Sequence, residues 1–318
     1  MNRRSNDNGR AFEYEVIKAF EREISKHRSV KLNTDAGYDA AKQAHASMSN
    51  EMLQNFRSAA IAAVKVVIDY EPLIIEKCSD CIDLSIQTDS AGKSGDVRDI
   101  IIARPNIKWE IGLSVKHNHD AVKHSRLSKN IDFGERWFNQ PCSKEYWQDI
   151  NPIFDYLERE KAKKTLWRDI PNKQQAIYLP LLNAFIEEIK RSEKTNKNIA
   201  RNMVEYLVGM HDFYKIIGKK QKRVTEISTF NLRGELNQAV KGEKLLKVIN
   251  ISKLPTRILY IGMKQKSFTT VEMCLDNGWA FTFRIHNASS KVEPSLKFDI
   301  RLVGLPATIL NIMVKWND

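Results

Sequence analysis

The spacing of apolar residues changes period several times along the chain. Phe12, Val16, Ala19, Phe20 and Ile24 recur every three or four positions, with charged residues between them, which predicts an amphipathic helix over residues 9–28. The same period predicts helices over 35–46 and 50–70, the second carrying Met52, Phe56, Ala60, Val64 and Val67 on one side. Between about 72 and 116 the pattern shortens to two. Ile82–Thr88, Val97–Ala103 and Trp109–Lys116 read as strands, separated by the turn-rich Thr88–Gly95 and by Arg104–Lys108. Helical periodicity returns over 144–216, with a polar break at Ser192–Asn198. Beyond about 221 the chain is strand-rich: Thr256–Met263, Thr270–Leu275, Trp279–His286 and Leu296–Val303, broken by Asp276-Asn277-Gly278 and by Ala288–Pro294.

This order predicts an α/β protein, a mixed sheet flanked by helices, with a helical insertion and a β-rich C-terminal part. Three consecutive segments follow: a core over 1–143 with N-terminal helices and a β-hairpin, a helical segment over 144–220, and a basic β-rich segment over 221–318.

Composition narrows the class. With 42% hydrophobic residues, the 318-residue chain has enough apolar surface for a core, which excludes wholesale disorder. The most apolar run, Ala59–Asp69, is too short to span a bilayer, and Met1–Arg10 lacks the apolar stretch of a signal peptide, so a cytoplasmic protein with no membrane partner is expected. Four cysteines make no disulfide framework; Cys78 and Cys81 have zinc-like spacing but no second pair, and read as structural thiols. Charge is the stronger clue. The chain carries 51 Lys/Arg against 39 Asp/Glu, and residues 211–270 alone hold 13 against 4. A polyanionic partner follows, nucleic acid first.

Strand period places the candidate chemistry. On Trp109–Lys116, Glu110, Gly112, Ser114 and Lys116 share one face, while Ile111, Leu113 and Val115 share the other. A four-residue turn at Pro105–Lys108 pairs Arg104 with Trp109, which sets Asp99 opposite Ser114 and Lys116 on the same face. An acid at the head of a buried strand beside a lysine on its hairpin partner is costly to build without purpose. Phosphodiester hydrolysis uses this pair: a carboxylate holds a divalent cation such as Mg²⁺, and a lysine orients the nucleophile and meets growing charge. The carbonyl of Val115 adds a possible oxygen ligand, and Asp96 competes with Asp99 for the carboxylate role.

Directly after the strand come His117, Asn118, His119, Lys123, His124 and Arg126, a run of donors suited to phosphates over the site. Arg284, His286 and Asn287, with Ser289 and Ser290, follow a strand where a loop enters a groove, and arginine is the commonest reader of guanine. Lys219-Lys220-Gln221-Lys222-Arg223 reads as a phosphate-tracking run.

An Asp, a β-turn and then an acid-x-Lys resembles the PD-(D/E)xK nuclease superfamily, with Ser114 standing where the acid is usual. Two carboxylates are available to replace it: Glu110, on the same face but ~13 Å along the strand, and Glu13, in a Gly9–Glu15 segment similar to the N-terminal helix whose glutamate reaches the metal in such nucleases. That segment, Glu110–Ser128, Phe283–Ala288 and Ser295–Ile300 together resemble the HaeIII type II restriction endonuclease family. The resemblance implies Mg²⁺-dependent cutting of double-stranded DNA at GGCC with blunt ends and 5′-phosphates. It also implies a homodimer on the palindrome and a cognate DNA methyltransferase that protects the host. Two other readings suit the residues: a structure-selective resolvase or repair nuclease of the same fold, which would not cut linear duplex into discrete fragments, and a DNA-binding protein without catalysis, which would bind without metal.

Overall fold

The N-terminal helices form where local signals say they should. In a computed structural model describing residues 2–88, 96–118, 121–238 and 247–317, α1 (Asn2–Ile24) buries Phe12, Val16, Phe20 and Ile24 along one stripe. The Asp35 carboxylate accepts the Gly37 and Tyr38 N–H groups and starts α2 (Ala36–Ala46); the Ser49 hydroxyl accepts the Met52 N–H and starts α3 (Asn50–Tyr70). Four further helices are described: α4 (Phe133–Phe138), α5 (Lys144–Ala162), α6 (Leu179–Thr195) and α7 (Ile199–Val208).

The strands are β1 (Val30–Leu32), β2 (Ile82–Ile86), β3 (Ile100–Arg104), β4 (Trp109–His117), β5 (Ala121–Leu127), β6 (Phe213–Lys219), β7 (Val224–Phe230), β8 (Ile258–Met263), β9 (Thr270–Leu275), β10 (Ala280–His286), β11 (Leu296–Gly304) and β12 (Asn311–Lys315). They form two sheets, a seven-stranded one in the order β1-β2-β3-β4-β6-β7-β12 and a five-stranded one in the order β5-β11-β10-β9-β8. The first is mixed: β1–β2 and β4–β6 are parallel, the other pairs antiparallel.

The chain divides into two compact units. Unit 1 comprises 1–120, 209–252 and 307–318, and holds the mixed sheet with α1, α2 and α3. One sheet face is apolar: Leu84, Ile102, Ile111, Leu113, Val115, Tyr214 and Ile216 join Phe12, Phe20, Phe56 and Val67 of the helices in one core. Unit 2 comprises 121–208 and 253–306, and holds the antiparallel sheet with α4 to α7. Its core is aromatic, with Trp137 stacked at 5.8 Å on Phe283 and Phe185 at 5.1 Å from Phe298.

The α/β class with its mixed sheet, helical insertion and later β-rich part is as expected. The three consecutive segments differ from the compact units, because β6, β7 and β12 complete the sheet begun near the N-terminus. Two stretches also differ from their expected structure. Phe213–Lys219, expected within the helical region, is strand β6; it is buried along nearly its whole length, so its residues show no alternation. Ala121–Leu127, expected as a loop of donors, is strand β5 paired with β11. Residues 89–95 of the expected turn lie outside the described residues. No described helix is long and apolar enough to cross a membrane.

Candidate active site

The hairpin of β3 and β4 closes on a single 3₁₀ turn at Pro105–Ile107, followed by Lys108 in the left-handed region at φ 53°. Arg104 pairs with Trp109 and Ile100 with Leu113, so Asp99 falls opposite Ser114. The Asp99 main chain is held on both sides: its N–H donates to the Leu113 carbonyl and its carbonyl accepts the Gln87 N–H, each at 2.8 Å.

Its carboxylate then turns onto β4. Oδ2 accepts the Val115 N–H at 2.6 Å, the Lys116 ammonium at 2.9 Å and the Ser114 hydroxyl at 3.3 Å, while Oδ1 takes only the longer Lys116 contact at 3.3 Å. Burial works against the charge on Lys116, but the Asp99 and Glu13 carboxylates outweigh it and raise the pKa above the ordinary lysine value. Lys116 is therefore an ammonium at neutral pH. Glu13, half-buried on α1, belongs to this electrostatic group even though it lies 86 residues before Asp99 in the sequence.

The two competing carboxylates are engaged with Arg98. The guanidinium takes Asp96 through Nε and Nη2 at 2.8–3.1 Å and Glu110 through Nη1 at 2.8 Å, and the Gln87 amide donates to Asp96 at 2.8 Å. Arg98 reaches Glu110 by lying across Gly112, where a Cβ would stand 1.9 Å from its Cδ. The motif reading did not include Arg98. The available signal was Gly112, a glycine inside a strand pattern, which marks a close approach of another group.

The expected DNA-facing residues separate into different environments. His117 packs edge-on against Phe56 at 4.9 Å, and burial with the nearby Lys220 lowers its pKa. Asn118, at φ 51°, accepts the Lys220 N–H on its side chain and donates its own N–H to the Gly218 carbonyl, so it locks a turn. Within unit 2, Lys123 donates to the Tyr206 carbonyl at the end of α7 and lies 3.6 Å from that ring's centre; burial pulls its pKa to about 8. Arg126 is 40% exposed and held by Glu293 and Ser295. His119 and the His124 side chain lie outside the described residues. On β10, Arg284 is 55% exposed and paired with Asp299 at 2.7 Å, and His286 lies 3.7 Å from the same carboxylate. Asn287 is consumed by its own loop: its amide donates to the Ser289 and Lys291 carbonyls, and its oxygen accepts the Glu293 N–H. The basic run after β6 is a turn in which Lys220 pairs with Glu51 and Lys219 with Glu226.

Among the described residues no group of three or more His, Cys, Asp or Glu side chains is arranged to hold a metal. Mg²⁺ needs less than that from a protein, since it keeps waters and takes one or two carboxylates. Asp99 and Glu13 both act on Lys116, and Oδ1 is the less engaged oxygen of Asp99.

A mixed sheet backed by helices, with an aspartate and a lysine paired across the head of one hairpin, is the core of the restriction-endonuclease-like nucleases. The chain matches the model of the HaeIII restriction endonuclease family over residues 9–306. It is 47% identical over 319 positions to the type II restriction enzyme HaeIII of Haemophilus aegyptius, with 100% of each chain covered. No solved structure matches. The chain belongs to the HaeIII restriction endonuclease family and is a type II site-specific deoxyribonuclease.

Proposed function

We propose that the chain hydrolyses double-stranded DNA at GGCC with Mg²⁺, cutting to blunt ends that carry 5′-phosphates. The observation that carries the chemistry is the Asp99 carboxylate fixed by three donors of β4, with Lys116 as an ammonium against it. The sequence target rests on the 47% identity to HaeIII over the full length of both chains.

In this reading Asp99, Glu13 and the Val115 carbonyl would hold Mg²⁺, which would supply Lewis-acid activation of the phosphate and of the attacking water. Lys116, held against Asp99, orients the water and meets the negative charge growing on the phosphate. Ser114 contributes its hydroxyl to fixing Asp99. Water attacks in line and gives up a proton to solvent, the P–O3′ bond breaks, O3′ takes a proton from solvent to leave as the 3′-hydroxyl, and the phosphate stays on the 5′ end. Arg284 and His286 contact the duplex, with Arg126 and Lys123 on β5 as flanking cations. A palindromic site calls for two such centres related by a two-fold axis, hence a homodimer on DNA. A methyltransferase of the same specificity protects the host.

The test is digestion of one unmethylated plasmid of known sequence by wild type and Lys116→Ala, with Mg²⁺ and with EDTA. Discrete Mg²⁺-dependent fragments from wild type alone, with blunt 5′-phosphorylated ends in GGCC, are expected. Intact plasmid in every lane with a shifted complex on a native gel overturns hydrolysis; fragments ending in another sequence overturn the GGCC target.

A further inference from the structure

The parallel pairing of β4 with β6 aligns Gly112 with Phe213, Ser114 with Lys215 and Lys116 with Ile217. Tyr214 and Ile216 belong to the core under the helices. Alternation therefore places Phe213, Lys215 and Ile217 on the opposite face, with Asp99, Ser114 and Lys116. Phe213 is 4% exposed, Ile217 3% and Lys215 8%. A buried lysine thus interrupts an apolar stripe, one strand from Ser114. The interruption continues sideways: Lys215 pairs with Ser228 of β7, itself buried, and Ser228 with Asn311 of β12. A polar row, Asp99–Ser114–Lys215–Ser228–Asn311, crosses the sheet at the register of the Asp99 carboxylate. The row on one side runs Gly112–Phe213–Phe230, which shows that this face accepts apolar side chains.

We propose that Lys215 is a second cation of the active site, which with Lys116 faces the scissile phosphate and takes up its charge. The inference rests on the active-site reading above. Ser114, which stands opposite Asp99, has Lys215 beside it on the next strand, so the two lysines flank the register of the carboxylate. Adjacent strands stand ~4.8 Å apart, so a lysine on β6 spans the width of β4.

The test is a coupling between side chain and phosphate. A GGCC duplex is made with either an ordinary phosphate or a neutral methylphosphonate at the scissile position. Affinities are measured with Ca²⁺ in place of Mg²⁺, so that binding is read without turnover. Wild type is expected to lose roughly tenfold in affinity on neutralisation of the phosphate, the scale of one charge-assisted hydrogen bond. Lys215→Met is expected to lose less than about twofold, and Lys215→Arg to behave as wild type. An equal loss in wild type and Lys215→Met overturns the proposal, since a lysine that only supports the sheet has no coupling to one phosphate. Lys215→Gln replaces the methionine variant if that one does not fold. Lys116→Met in the same cycle reports on the underlying reading: coupling at Lys116 but not at Lys215 overturns the proposal alone, whereas coupling at neither overturns the assignment of the site.

Discussion

The carboxylate of Asp99 accepts the main-chain N–H of Val115 at 2.6 Å, across the head of the β3–β4 hairpin. The contact is made to backbone, so it positions Asp99 whatever side chain occupies 115. It also consumes the oxygen that Lys116 and Ser114 approach, and leaves Oδ1 the freer one. An amide at 99 has the same shape but no charge. Asp99→Asn is expected to lower the single-turnover cleavage rate by about 10²–10³, the scale of losing one preorganised electrostatic group, with melting temperature close to wild type. Cleavage within tenfold of wild type would show that the Asp99–Lys116 pair supports the hairpin only.

The register of this hairpin was legible because two independent signals agree, a turn of fixed length and a strand with one apolar face. The bounds of α2 and α3 were legible through Asp35 and Ser49, which cap them. Strand β6 was not. Its run Phe213-Tyr214-Lys215-Ile216-Ile217 is buried on both faces, and a segment without alternation is read as easily for helix as for strand. For the same reason Lys215 carried no visible signal; only the register beside Ser114 gives it meaning. Glu13 was reached by resemblance alone, because nothing local links a helix near the N-terminus to a hairpin some 86 positions later. The assembly of unit 1 from three stretches is a long-range choice of strand partners, which local pattern does not encode.

Gly112 and Arg98 should behave as one unit. A methyl group at 112 would meet Cδ of Arg98 at 1.9 Å and Cγ at 2.5 Å, so the arginine must leave the sheet. Asp96 and Glu110 then lose their shared cation. Gly112→Ala and Arg98→Ala are each expected to destabilise by about 3–5 kcal/mol, as for removal of one member of a buried charged group. The double variant should cost little more than either one. Denaturant unfolding of the four proteins in the cycle checks this; additive losses would show that Gly112 serves some purpose other than making room for Arg98.

Asp80 gives the fold an acid-sensitive point remote from the candidate chemistry. Hydrogen bonding from Arg104 and from the Cys78 thiol, together with the charges of Arg104 and Arg28, holds its pKa down to about 2 from the ordinary 3.8. A depressed carboxylate contributes stability that is complete above its unfolded pKa and is lost as the pH falls through the folded value. The window is therefore about pH 4 down to about 2. Arg28 has a fully buried side chain and Arg104 is 4% exposed, so removing Asp80 leaves Arg28 without its carboxylate and Arg104 with Glu76 alone. Asp80→Asn is expected to cost about 3–5 kcal/mol at pH 7, and to flatten the fall in stability between pH 4 and pH 2. Urea midpoints at pH 7, 4 and 2 for both proteins test it, and an unchanged acid limb would assign that limb to other groups.

Two neighbours on unit 2 that looked alike as groove-entering donors should now differ in kind. Arg284 is more than half exposed and held by Asp299, which fixes its guanidinium without covering it. Asn287 makes three hydrogen bonds within its own loop, to Ser289, Lys291 and Glu293, which commit both of its amide hydrogens. Arg284→Ala is expected to cost about 1–3 kcal/mol in kcat/KM on the cognate duplex, the worth of one bidentate arginine contact, with little change in stability. Asn287→Ala is expected to leave discrimination between the cognate site and single-base variants intact and to lower the melting temperature instead, since three loop groups lose their partners. Measuring kcat/KM on the cognate site and on each single-base variant separates the two effects. If Arg284→Ala cleaves every duplex as wild type does, this end of β10 does not touch the DNA, and the bases are read from another part of the chain.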